Sequence, residues 1–200
     1  MILIAHRRNT RAELQATPAT YGIEMDVRSS GDELIVVHDP FQPGERLEDW
    51  LTAFQHRTLI LNVKEEGLEQ KLIETMKARD IEDYFFLDQS FPFLVKWAKA
   101  GVSRAAVRVS EYESIDTAMS LAGLVQWIWV DCFTRFPLSA ADARRLTSAG
   151  FKLCVVSPEL QGRPADSEIP ELQRLLRERQ IQPAAVCTKR PDLWEQGAGS

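Results

Sequence analysis

The chain has 200 residues, 44% of them hydrophobic and 26% charged, and a formal net charge of −5 at pH 7 from 24 basic and 29 acidic side chains. That length suits one domain, residues 1–200, around a single core, and an acidic balance without a run of Lys or Arg argues against a nucleic-acid partner. Cys132, Cys154 and Cys187 each adjoin an apolar run, which predicts reduced, buried thiols; with no apolar stretch of ~18 residues and no cleavable leader in "MILIAHRRN", a cytoplasmic chain without membrane insertion is expected.

In chain order, "ILIAH" (2–6) and "GIEMDV" (22–27) read as the first two strands. "DELIVVHD" (32–39) is strand-like too and follows through "RSSGD", a Gly-containing turn that predicts a hairpin. A helix over 46–54 leads to strand "TLILNV" (58–63), and a helix over 67–80 to strand "YFFLD" (84–88). Helices over 91–101, 112–123, 139–150 and 170–180 alternate with strands "AAVRV" (105–109), "WIWVD" (127–131), "KLCVVS" (152–157) and "AAVCT" (184–188). Gly101, Gly123 and Gly150 follow the last apolar helical positions as stops, and Ser139 is placed as an N-cap. The tail from about residue 195, "EQGAGS", is small and polar and is expected to fray.

Most of these strands are continuous apolar runs, the pattern of a parallel sheet covered on both faces. Eight strand-helix units without a linker predict an α/β fold of the compact (β/α)8 TIM barrel type. A doubly wound open sheet is the alternative, disfavoured because "AHRRNT" stands where a glycine-rich phosphate loop would follow the first strand.

In such a barrel the chemistry gathers at the carboxyl ends of the strands. His6 and Arg7 close the first strand, Glu24 and Asp26 the second, His38 and Asp39 the hairpin, and Asn62 and Lys64 the third. Alternation along a strand points Glu24 and Asp26 to one side, and likewise Asn62 and Lys64. Two close carboxylates call for a cation or proton between them, and an oxygen set from Glu24, Asp26 and Asn62 suits Mg²⁺ or Ca²⁺. Histidines beside such an ion, His6 and His38, could serve as general base and acid, with Arg7 and Lys64 as fixed positive charge. Arg8, Asp39, Arg108 and Asp131 are candidate substrate contacts. Arg108, Ser110 and Glu111 could equally cap the next helix, and Trp127 and Trp129 could be core or an aromatic wall. His56 is read as structural.

The anchors "AHRRN", "EMDV", "VVHDP", "LNVK" and "CTKRPDLW" resemble the glycerophosphodiester phosphodiesterases, within the broader superfamily of phosphatidylinositol-specific phospholipase C barrels. By position, the resemblance implies His6 and His38 as an acid-base pair, Arg7 and Lys64 as phosphate contacts, and Glu24 and Asp26 as metal ligands, acting on a small phosphodiester. Three departures accompany it. Asn62 stands where most members carry a third acidic ligand, Arg8 where a glycine follows His-Arg, and Lys189 where an acid is usual. The stretch from His38 to the third strand also lacks room for the small subdomain that many members place over glycerol. Alternatives from the residues are a phosphate-binding barrel without catalysis, a lyase releasing a cyclic phosphate, and an aldolase-like use of Lys64 as an amine nucleophile.

Overall fold

A computed structural model describes residues 1–196. Its elements are β1 (Ile2–Ala5), α1 (Arg11–Ala16), β2 (Gly22–Ser30), β3 (Glu33–Val36), β4 (Glu45–Arg46), α2 (Leu47–Leu51), β5 (Leu59–Val63), α3 (Glu69–Ala78), β6 (Tyr84–Leu87), α4 (Phe91–Lys99), β7 (Ala106–Val109), α5 (Ile115–Met119), β8 (Trp127–Val130), α6 (Ala140–Ser148), β9 (Lys152–Val156), a 3-10 turn (Pro158–Gln161), α7 (Ala165–Glu178), β10 (Ala185–Thr188) and α8 (Pro191–Gln196).

The fold is mixed α/β around one curled sheet. Parallel neighbours run β6, β5, β2, β1, β10, β9, β8, β7. The two ends of that series meet at a single bridge between Phe86 and Ala105. The expected hairpin is present: β2 overshoots its parallel partners and β3 folds back on it, with Val27 opposite Val36 and Ser30 opposite Glu33.

Strand alternation divides the apolar side chains into two layers. On the convex face Ile23, Met25, Leu59, Leu61 and Phe86 pack with helix residues such as Leu14, Trp50, Leu72 and Met76. On the concave face Ile4, Ile60, Phe85, Trp127, Trp129, Cys154 and Cys187 pack on one another, each large aliphatic contributing about 1.5–3 kcal/mol by leaving water. Trp127 stacks on Phe85 with ring centroids 4.5 Å apart, so the two tryptophans are core. All three cysteines are free and buried, and burial pushes the Cys132 thiol up to about 12.

Helix boundaries follow local chemistry. Ser139 caps α6 in a reciprocal box with Asp142, and Gly150, at φ 92°, carries the left-handed turn beyond it. The sequence reading passed over α1, although Thr10 and Glu13 form the same kind of box there. Where a helix over 112–123 is expected, α5 is only Ile115–Met119. Ser110 draws Tyr112 and Glu113 into a turn by accepting from both of their N–H groups, and Ser114 starts the helix instead. The helix expected over 170–180 is α7, which begins five residues earlier at Ala165 and carries Pro170 inside it. The hydrogen bond a proline forfeits is offset there by burial of Ile169 and Leu172. Glu195 and Gln196, expected in the frayed tail, are helical, and Glu195 accepts a 2.7 Å bond from the Tyr21 hydroxyl. Residues 197–200 lie outside the described residues.

No helix among the described residues is long and apolar enough to cross a membrane.

Candidate active site

The concave-face alternation that buries Ile4, Ile60, Phe85, Ala106 and Trp129 continues upward into polar side chains at the carboxyl ends of the strands. His6, Glu24, Asp26, Asn62, Lys64, Arg108 and Asp131 therefore share one cup. Glu24 and Asp26 are each only 1% exposed, and Asp26 lies in register with Asn62 across the β2/β5 ladder.

Glu24 is held from three sides. Its Oε2 accepts a 2.6 Å bond from the Arg7 N–H, its Oε1 a 2.8 Å bond from Asn62 Nδ2, and His6 Nε2 stands 3.7 Å away. Burial, then the charge of Asp26, pushes the Glu24 carboxyl well above the usual carboxylate range. Burial, then Arg7, Lys189, Lys64 and Arg8, drives the His6 imidazole down to about 3. His6 Nδ1 is buried without a hydrogen-bond partner.

Asp26 is gripped by Asn9, which donates 2.8 Å from Nδ2 to Oδ2 and accepts the Asp26 N–H at 3.0 Å. Arg7 Nε lies 3.4 Å from Oδ2 and Lys64 Nζ 3.2 Å from Oδ1. Arg7 sits at φ 51°, a left-handed conformation that costs a non-glycine residue about 1–2 kcal/mol. That turn brings its N–H to Glu24 while its side chain meets Asp26. Arg8 points elsewhere: its guanidinium bonds Thr17 Oγ1 at 3.0 Å and the His6 carbonyl at 3.2 Å.

His38 follows β3, its main chain drawn to the β2 edge by the Val37 N–H on the Asp26 carbonyl and by Arg28 Nε on the His38 carbonyl. His38 Nδ1 and Asp39 Oδ1 are 2.6 Å apart. The Asp39 carboxyl is lowered by that hydrogen bond, against a small opposing effect of burial, and by the nearby charges of His38, Arg7 and Arg28.

A belt of alternating charge crosses the rest of the mouth. Lys64 Nζ is also 3.2 Å from Asp88 Oδ2. Asp88 reaches Arg108, which bonds Asp131 at 2.8 Å, and Asp131 accepts 2.6 Å from Gln161. Asn9, Asp88 and Gln161 are not among the residues expected at the site, although Asn9 lies within "AHRRN" and Asp88 ends a strand run, a position that also carries Asp131. Ser110 and Glu111 turn to loop architecture: Glu111 accepts backbone bonds from Phe133, Thr134 and Arg135. Ser157 receives the Trp194 indole N–H, and Glu159 receives Thr188 and the Lys189 N–H. His56 bonds the Thr17 carbonyl through Nε2 at 2.9 Å, a structural contact.

The donor set is compatible with a hard divalent cation. Asn62 Oδ1 is buried without a hydrogen-bond partner, and its register neighbour Asp26 presents Oδ1 to Lys64 Nζ alone, at 3.2 Å, beside the buried carboxyl of Glu24. Oxygen donors of this kind match Mg²⁺ or Ca²⁺. Among the described residues no group of three or more His, Cys, Asp or Glu is arranged to hold a metal, so Asn62 is needed to complete any such set.

No protein-family model matches the chain, and no curated protein matches it. Solved structures do. A glycerophosphodiester phosphodiesterase from Agrobacterium tumefaciens str. C58 superposes with a TM-score of 0.68 at 16% identity over 100% of both chains. A second structure from the same strain, described as a glycerophosphoryl diester phosphodiesterase, gives 0.69 at 14% identity over 100% of this chain and 98% of its own. The resemblance read from the sequence therefore holds at the level of the fold.

Proposed function

We propose that the chain is a phosphodiesterase acting on a small phosphodiester, with His6 and His38 as the proton-transfer pair and a curled sheet that acts as a closed (β/α)8 barrel. The observation that carries this reading is the buried carboxylate pair Glu24 and Asp26 with His6 Nε2 3.7 Å from Glu24, beside Arg7 and Lys64, in a fold shared with glycerophosphodiester phosphodiesterases.

Glu24, Asp26 and Asn62 would hold Mg²⁺ or Ca²⁺, which when bound polarises a phosphoryl oxygen as a Lewis acid. With a diester and cation in place, His6 takes the proton of the attacking hydroxyl, whether from water or from the substrate itself. Asp39 occupies Nδ1 of His38 and leaves Nε2 to deliver a proton to the departing alcohol. Arg7 and Lys64 offset charge that builds on the phosphoryl oxygens. Attack by water gives a monoester and an alcohol; attack by a neighbouring substrate hydroxyl gives a cyclic phosphate and an alcohol.

A second reading has one observation in its favour. Arg7 and Lys64 already contact Asp26, and Asn62 already donates to Glu24, an arrangement suited to a pocket that binds a diester without cleaving it.

The test is a panel of aryl and glycerol phosphodiesters with added Mg²⁺ or Ca²⁺, alongside calorimetric titration of each cation and His38→Ala. Turnover that disappears in a folded His38→Ala protein supports catalysis, and full activity in that variant overturns the histidine assignment. Diester binding without turnover under either cation selects the second reading.

A further inference from the structure

β1 and β10 run in parallel register, with Ile4 beside Cys187 and Ala5 beside Thr188. The pairing continues past the strand ends, where the His6 N–H donates to the Thr188 carbonyl at 3.0 Å. Ile4, Ala185 and Cys187 all belong to the concave layer, so alternation carries His6 and Lys189 onto that same face, side by side at the mouth of the cup. The main chain of Lys189 is pinned there. Its N–H donates to Glu159 Oε1 at 2.9 Å, and Thr188 Oγ1 donates to the same oxygen at 2.6 Å while accepting the Arg190 N–H at 2.8 Å.

Arg7, Lys189, Lys64 and Arg8 all bring positive charge to bear on the His6 ring, Lys189 more strongly than Lys64. Three of them are already committed within the chain. Arg7 lies 3.4 Å from Asp26, Lys64 is divided between Asp26 and Asp88, and Arg8 bonds Thr17 and the His6 carbonyl. Lys189 is exposed, and its ammonium makes no ion pair or hydrogen bond among the described residues. Glu159 holds the Lys189 main chain but gives its oxygens to Ser157, Thr188 and the Lys189 N–H. A phosphate entering beside His6 therefore meets Arg7 and Lys64 with acids already attached, whereas the Lys189 ammonium can take an oxygen without breaking any contact.

We infer that Lys189 is a further catalytic residue of this chain, its ammonium holding one non-bridging oxygen of the phosphodiester on the β10 side of His6. The assignment rests on the phosphodiesterase reading of the cup. No bond forms or breaks at the lysine; it offsets the charge that grows on that oxygen as the nucleophile attacks. It also makes the phosphate asymmetric, because one non-bridging oxygen faces Lys189 and the other faces the β2 and β5 side of the cup, where Arg7 and Lys64 sit.

That asymmetry is what the experiment reads. The probes are an aryl phosphodiester, its two phosphorothioate diastereomers, in which sulfur replaces one or the other non-bridging oxygen, and inorganic phosphate, all applied to the full chain. Lys189→Met is expected to lower kcat/KM for the oxygen diester by about 30-fold, to change the ratio of the two phosphorothioates by about tenfold, and to weaken phosphate by about tenfold in calorimetric titration. Lys189→Arg keeps a cation and should stay near the parent on all three readings. Lys189→Glu removes the charge in a second way, so that a folding defect in one variant leaves the other readable. An equal loss on both phosphorothioates, which a merely structural role would give, or a phosphate affinity unchanged in both Lys189→Met and Lys189→Glu, overturns the contact. Turnover of the oxygen diester at the parent's rate in Lys189→Met sinks the contact and leaves the phosphodiesterase reading standing. Phosphate binding that depends on Lys189, with no turnover of any diester by the parent, supports the phosphate contact and removes the catalytic reading.

Discussion

Lys64 stands between Asp26 and Asp88, its ammonium 3.2 Å from a carboxylate oxygen of each. Asp26 is 1% exposed and the Lys64 side chain 16%, so this is a buried contact shielded from salt. Lys64→Met keeps the stem and removes the charge. Asn9 and Arg7 remain on Asp26, which limits the loss to about 2 kcal/mol, below the cost of stripping a buried charge bare. Urea denaturation measures it. In the proposed reaction the same change lowers turnover by about 100-fold. A variant with the parent's midpoint and the parent's rate would show that Lys64 is merely a rim charge.

Asn62 tests the cation reading without any substrate. Asn62→Glu places a third carboxylate beside Glu24 and Asp26, in a position where the amide now donates to Glu24 at 2.8 Å. Without divalent ions the variant loses that bond and gains repulsion, and its Tm should fall by roughly 5 °C. Added Mg²⁺ or Ca²⁺ should restore it and raise Tm further than it does in the parent, because binding to the folded state stabilises by mass action. A Tm that ignores both cations in the variant contradicts an ion at Glu24, Asp26 and residue 62.

Much of this arrangement is written in local sequence. Continuous apolar runs place the parallel strands to within a residue or two, except that β2 runs on three residues past 27 to Ser30, where it pairs with β3 instead of a parallel neighbour. Inward alternation then places Glu24 with Asp26, and Asn62 with Lys64, without further information. What local pattern does not carry is who meets whom across strands. The Asn9 grip on Asp26 and the Asp88 link between Lys64 and Arg108 join side chains 17 to 24 positions apart. Only the curl of the sheet brings them together. Residue chemistry offers Arg8 as a substrate contact, and the structure commits its guanidinium to Thr17 and the His6 carbonyl instead. The Ser110–Glu113 turn shortened α5 for a related reason: a serine hydroxyl competes with the helix for backbone donors.

Gly22 opens the strand that carries the acids. A Cβ there would come within 2.8 Å of the Thr58 carbonyl oxygen and 2.9 Å of Ile4 Cγ1, closer than a methyl group tolerates. Gly22→Ala must therefore push β2 away from β1 or β5, at about 1–3 kcal/mol. Because β2 also supplies Glu24 and Asp26, activity should fall more than stability alone explains. Chemical denaturation with a parallel diester assay reads both. An alanine variant as stable as the parent would mean that the β1/β2/β5 contact is looser than these distances imply.

Glu111 gives the molecule an acid-sensitive clamp away from the cup. Its Oε1 accepts from the Thr134 and Arg135 N–H groups at 2.7 and 2.8 Å, and its Oε2 from Phe133 at 3.2 Å. Burial opposes its charge, yet the Thr134 and Arg135 N–H groups, with the Thr134 hydroxyl, hold the carboxyl down to about 2 against an ordinary 4.5. The folded value lies below the unfolded one, so the clamp's contribution is complete above the ordinary value and drains away as pH falls toward the folded one. Glu111→Gln cannot titrate and loses the charged acceptor at every pH. The gap in urea midpoint between parent and variant should accordingly be constant from about pH 7 to about pH 5 and shrink below about pH 4. A gap of the same size at about pH 7 and about pH 2.5 would place the stabilisation in shape rather than in the carboxylate's charge.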